Sequence, residues 1–184
     1  MLNLKKGCDY MIEEIKEYIK EIEENIEYGW YDTKNNLREH IDKDFMIEYR
    51  TRTPEEIKKS KHGICWDLVE LEREYLEEKK ADFKTIFVVI NDIILKHPNH
   101  SFIIIKENDK YYWLEATLKD HKGIHEFNTL EELKNKIIEV FPIIANRPID
   151  EKDSKRIEFF EFERPKNAIK AIDYFIYVTK GNKI

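Results

Sequence analysis

From Met11 to Ile26 the apolar positions Ile12, Ile15, Ile19, Ile22 and Ile26 recur at alternating steps of three and four, with Glu and Lys between them. That spacing gathers them on one face of a helix. The stripe is short for an independent coiled coil, so it reads as packing against its own domain, with dimerisation through the same helix of a second copy as the alternative. Tyr28-Gly29-Trp30-Tyr31-Asp32 closes the helix with glycine and begins a polar connection, and Leu37 to Tyr49 has a mixed pattern. Thr53-Pro54-Glu55-Glu56 places a capping residue before a proline at the first helical position, which announces a short helix ending before Gly63. A further helix opens near Cys65, with Ile64, Leu68, Leu71 and Tyr75 on one face and Glu70, Glu72, Glu74, Glu77 and Glu78 mostly elsewhere.

Beyond Lys79 and Lys80 the texture changes to β-branched and aromatic runs of strand length: Thr85 to Ile90, His100 to Ile105 and Tyr111 to Thr117. Glu107-Asn108-Asp109-Lys110 joins the last two as an antiparallel hairpin. Thr129 and Glu132 form a capping box for a helix reaching about Val140, just before Pro142. Arg156 to Phe162 reads as a strand, and Pro165 to about Val178 as a last helix closing before Gly181. Helices come first, then a mainly antiparallel sheet with helices added, an α+β arrangement. We expect one domain over residues 1–184: an N-terminal helical part over 1–50, the chemically informative motifs over 53–117, and C-terminal helices and a strand over 118–184.

Composition narrows the function. The 184 residues are 41% hydrophobic and 38% charged, enough for a packed core beneath a heavily solvated surface. A net charge of -6 argues against general nucleic-acid binding, which needs a basic surface. No apolar run suits a signal peptide or a membrane span, so the expectation is a soluble, cytoplasmic protein. Cys8 and Cys65 are the two cysteines, and a reducing compartment keeps both as thiols.

Cys65 falls in the first turn of its helix, where the dipole and free N–H groups stabilise a thiolate and can hold an oxyanion. Gly63 upstream allows a sharp turn and an open approach. With the hairpin turn centred between Asn108 and Asp109, His100 falls near Thr117 and diagonal to Glu115, so the imidazole and the carboxylate can meet on one face. Cys65, His100 and Glu115 thus form a candidate nucleophile, base and orienting acid.

Gly63-Ile64-Cys65-Trp66-Asp67 resembles the Gly-x-Cys-x-Asp segment of the transglutaminase-like superfamily of papain-like cysteine enzymes. His100-Ser101-Phe102-Ile103 resembles its His-centred strand, and Trp113-Leu114-Glu115-Ala116-Thr117 its Trp-x-Asp-x-Thr segment. The lead-in from Thr53 to Lys61 is similar to the helix preceding the nucleophile in small, single-domain bacterial members. Glutamate replaces the usual aspartate and Ala116 a common proline, which implies a slightly different strand register. The resemblance implies a nucleophile helix packed on a mainly antiparallel sheet, and acyl chemistry on a peptide bond or glutamine side chain of a protein or peptide, with hydrolysis favoured over transfer. It also implies a side-chain oxyanion donor from an earlier segment, for which Trp30, Tyr31 and Tyr49 are candidates. Trp66 either lines the substrate entrance or packs in the core, and Asp67 complements the helix dipole.

No nucleotide loop, haem motif or phosphate cradle appears, so no cofactor is expected. No calcium-loop signature appears either. His97, His100, His121 and His125 with Cys65 offer a rival zinc reading, disfavoured because His97-Pro98-Asn99-His100 is a turn entering a strand. His62 is a rival base close to Cys65, and Cys8 is incidental. A catalytically silent binding module for a protein partner is the alternative function.

Overall fold

The computed structural model describes residues 2–91 and 98–184, and side chains from Met11 onward. His97 and the side chain of Cys8 therefore lie outside the described residues. The helices are α1 (Leu2–Asn25), α2 (Phe45–Glu48), α3 (Pro54–Ser60), α4 (Cys65–Lys79), α5 (Leu130–Ala145), α6 (Glu151–Ser154) and α7 (Ala171–Val178). The strands are β1 (Glu27–Tyr28), β2 (Trp30–Tyr31), β3 (Leu37–Arg38), β4 (His62–Gly63), β5 (Phe83–Ile90), β6 (Asn99–Glu107), β7 (Lys110–Glu115), β8 (Gly123–Phe127), β9 (Ile157–Glu161) and β10 (Asn182–Lys183). None of the described helices is long and apolar enough to cross a membrane.

Six strands form one sheet in the order β10-β9-β5-β6-β7-β8, antiparallel at every step. Alternate positions divide its two faces, as the period of two requires. Ile103, Ile105 and Leu114 join Ile12, Ile15, Ile19 and Ile22 of α1 and Leu68, Leu71 and Leu76 of α4 in one core. Phe102, Ile104 and Trp113 pack instead with Leu133, Ile137 and Phe141 of α5. The α1 stripe thus faces its own core. The result is an α+β fold with the Cys65 helix packed on a mainly antiparallel sheet.

Several elements differ from the sequence reading. Helix α1 begins well before Met11, because no proline interrupts that stretch. The connection after it contains the strand pair β2–β3, and β1 runs parallel to β4, so the N-terminal part is not purely helical. Helix α5 continues through Pro142 to Ala145 and stops at Asn146, whose left-handed φ of 49° caps it. The packed residues Phe141, Ile144 and Ala145 hold that last turn against the loss of one N–H donor. The final helix starts only at Ala171. Before it the chain bonds to an earlier segment: Thr51 N–H donates to Ile169 O at 2.9 Å and Ala171 N–H to Tyr49 O at 3.0 Å.

Helix α4 is also more buried than its acids suggest. Glu70, Glu72 and Arg73 are all inside. Arg73 donates to Glu70 Oε1 (3.0 Å), Thr85 Oγ1 (2.6 Å) and Phe162 O (3.0 Å), and Arg164 donates to Glu70 Oε2 (2.5 Å). Charges so paired can sit where α4 meets β5, and the network ties the nucleophile helix to the sheet.

Candidate active site

Helix α4 starts at Cys65 because Asp67 captures the chain ahead of it. Ile64 is extended (φ −104°, ψ 176°) and has no capping side chain, but its N–H donates to Asp67 Oδ2 at 3.1 Å. Asp67 Oδ1 accepts from Tyr49 OH at 2.6 Å and lies 3.8 Å from Arg52 Nε. The carboxyl is fully buried, and burial pushes it up to about 6 against the opposing pull of Arg52 and its two hydrogen bonds. Asp67 therefore anchors the turn from inside, beyond complementing a dipole. Gly63 is required by space: a Cβ there would fall 2.9 Å from Leu68 Cδ2 and 3.2 Å from Asp67 Cβ. The first N–H groups of α4, beginning with that of Cys65, have no partner within the helix.

The hairpin supplies the rest. Asn108 and Asp109 both take positive φ (50° and 60°), the two-residue turn that matches the strand twist. The register runs unbroken from Glu107↔Lys110 to Ile103↔Leu114. Beyond Ile103↔Leu114 the two strands no longer pair, and there His100 and Glu115 meet through their side chains. His100 Nε2 stands 2.7 Å from Glu115 Oε2. Glu115 Oε1 accepts from the N–H groups of Thr117 (2.7 Å) and Leu118 (2.8 Å), so the carboxylate is held at both ends. The longer glutamate spans the diagonal without a shift in register.

The thiol of Cys65, partly exposed, neighbours the same imidazole and helps to raise it. Since Nε2 faces Glu115, Nδ1 is the ring nitrogen left to meet the thiol. Burial acts to lower the basicity of His100, but the charge of Glu115, its hydrogen bond to the ring and the neighbouring Cys65 outweigh it and raise the imidazole to about 10. Burial likewise opposes ionisation of Glu115, yet His100 and the two N–H donors hold it below the usual carboxylate range. The arrangement favours imidazolium beside carboxylate, the state that accompanies a thiolate.

Other residues named from the sequence fall elsewhere. Trp66, Trp30 and Tyr49 are all buried, 3% exposed or less, in one aromatic core with Phe45 and Tyr174. Their polar atoms are taken: Trp66 Nε1 donates to Asn99 Oδ1 (3.0 Å), Trp30 Nε1 to His40 O (3.0 Å), and Tyr49 OH to Asp67. Burial removes them from any surface a substrate could reach. The Trp66–Asn99 bond has its own consequence, since it ties the first turn of α4 to the residue before His100. Tyr31 packs its ring edge on His62 and lies under Arg52. His62 Nδ1 bonds Ser60 O at 2.7 Å, on the far side of β4 from Cys65's helix. His125 Nε2 bonds His121 O at 2.6 Å. Among the described residues no three His, Cys, Asp or Glu side chains converge as a metal site.

One neighbour was illegible in the sequence. Glu72 is 2% exposed, its Oε2 has no hydrogen-bond partner, and its carboxyl is pushed well up by burial first and then by Glu115, with His100 opposing. It lies two helical turns after Cys65, on the same face of α4, and that spacing of seven is the signal that could have marked it among its acidic neighbours.

Residues 2–141 match the family model described as a transglutaminase-like domain. No curated protein matches the chain.

Proposed function

The chain belongs to the transglutaminase-like domain family, and from that membership we propose that it performs cysteine-dependent acyl chemistry on the amide of a peptide bond or glutamine side chain, with water as final acceptor. Cys65 Sγ attacks the amide carbon as its thiol proton passes to His100. The Cys65 N–H receives the developing oxyanion. His100 then protonates the leaving nitrogen, and the C–N bond breaks to leave a thioester. Water, deprotonated by His100, attacks the thioester and returns the thiol. Glu115 keeps the ring oriented and balances its charge.

The observation that supports this reading is one buried imidazole held 2.7 Å from a carboxylate and neighboured by a thiol at a helix N-terminus. Water is preferred to an amine because the small members that the sequence resembles are read as hydrolases.

The test is the rate of Cys65 alkylation by iodoacetamide across pH, followed by peptide mass spectrometry in the wild type and in His100→Ala. Fast alkylation persisting below about pH 7 and lost in the variant marks a His-activated thiolate. Slow alkylation with an ordinary thiol profile, untouched by the substitution, overturns the reading in favour of a silent binding module.

A further inference from the structure

The thioester reading leaves one requirement open, and the following inference rests on that reading. A tetrahedral intermediate on Cys65 places negative charge on oxygen, and the Cys65 N–H is a single donor. Trp30, Tyr49 and Trp66 already give their protons to His40, Asp67 and Asn99. Tyr28 does not: among the described residues its hydroxyl makes no hydrogen bond.

The backbone aims Tyr28 at the nucleophile. Strands β1 and β4 run parallel in the register Glu27↔His62 and Tyr28↔Gly63, and Gly29 N–H donates to Gly63 O at 3.2 Å. Residues opposite one another in such a pair project to the same side. At Gly63 that side is the first turn of α4, since a Cβ there would meet Leu68 and Asp67. The other side carries Glu27 and His62, which approach each other to 3.6 Å. Tyr28 therefore projects on the side of Gly63 that meets the first turn of α4, the turn that begins with Cys65.

Its surroundings agree. Burial of the hydroxyl, then the neighbouring Cys65 and Asp67, hold the phenol above its usual range, so it remains a proton donor wherever the thiolate exists. The residue as a whole is 48% exposed, which sets it at the open side of the site, where a substrate arrives.

We propose that Tyr28 Oη is the second oxyanion donor, opposite the Cys65 N–H. As the S–C bond forms, the carbonyl π pair moves onto oxygen and is held by Tyr28 and by that N–H. When the pair returns, the carbonyl reforms and the leaving group departs, with no net proton transfer from Tyr28.

Two electrophiles separate this role from thiolate formation. Iodoacetamide alkylates by displacement and makes no oxyanion, whereas p-nitrophenyl acetate acylates through one. In Tyr28→Phe, Cys65 is expected to be alkylated within about twofold of the wild-type rate, while acetylation slows by about 100-fold. Unchanged acetylation, or an equal loss of both rates, overturns the proposal and leaves the thiol–imidazole reading standing. A wild-type Cys65 that shows neither His100-dependent alkylation nor acetylation removes the thioester reading itself, and Tyr28's role with it.

Discussion

His100 Nε2 and Glu115 Oε2 meet at 2.7 Å across the diagonal of a hairpin, with the second oxygen of Glu115 pinned by the N–H groups of Thr117 and Leu118. Three acceptor demands converge on this carboxylate, and an amide cannot meet them. In Glu115→Gln either the NH₂ group faces two backbone donors, or it faces the ring and forces the opposite tautomer. Cys65 alkylation near pH 7 should fall by about 100-fold, within the range that general-base losses span. A pH series by stopped assay checks it, with the reactive limb moving upward because the imidazolium has lost its counter-charge.

The same pair makes a signed contribution to stability. His100, raised to about 10 from an ordinary 6.5, stabilises the fold fully below 6.5, and that contribution is lost as pH rises through about 10. Glu115, held low, stabilises above its ordinary 4.5, and the contribution is lost as pH falls through its folded value.

What the sequence disclosed of this site was local. The Thr53 capping box forms as its spacing implies, with Glu56 N–H to Thr53 Oγ1 and Thr53 N–H to Glu56 Oε2. The Asn108–Asp109 turn alone sets which residues oppose one another, so the His100–Glu115 diagonal could be read from four polar residues. Pairings distant in the chain left no such trace. Strand β1 joins β4 across a gap holding two helices, and Trp66 bonds Asn99 from another element. The buried Glu70–Arg73 pair looks like surface charge until its partners Thr85, Phe162 and Arg164 are brought in. Trp30 and Tyr49 are both buried, which the sequence could not show, because an aromatic residue with a polar tip suits a binding site and a core equally well.

Asp67 should prove a positioning residue for Cys65. Asp67→Ala leaves Tyr49 OH and the Ile64 N–H without acceptors and Arg52 without its buried partner, a loss of about 3 kcal/mol. Asp67→Asn keeps one acceptor for Ile64, and the Tyr49 hydroxyl can turn to accept, so its cost should be nearer 1 kcal/mol. Because the native carboxyl is raised to about 6, its contribution is fully present below 3.8 and lost as pH rises through about 6. Urea unfolding at pH 4, 5.5 and 7 should therefore show the Asn variant gaining on the wild type as pH rises.

Glu72 faces His100 on β6, Glu115 on β7, Cys65 on its own helix and Tyr18 on α1. Burial keeps it protonated in the folded state above the ordinary 4.5 at which the unfolded chain ionises, so it costs the wild type stability as pH rises. Glutamine replaces a neutral acid with a neutral amide. Glu72→Gln should flatten the decline in unfolding free energy between pH 5 and pH 8 and leave the Cys65 alkylation profile in place. A profile shifted to higher pH in the variant would mean that Glu72 works ionised beside the imidazole.

Ile19 decides what the stripe on α1 is for. Its side chain is 1% exposed, in one core with Leu68 and Leu71 of the nucleophile helix and with Ile103 of β6. Truncation there removes apolar contacts and leaves a cavity that neighbouring β-branched side chains fill poorly, so Ile19→Ala should cost about 3 kcal/mol. A stripe that packs inward also makes the loss independent of association. Thermal unfolding at several protein concentrations checks this: the midpoint should fall by the same amount at each, and sedimentation should give one molecular mass for variant and wild type. A midpoint that rises with concentration in the wild type and not in the variant would place the stripe between two copies of the chain.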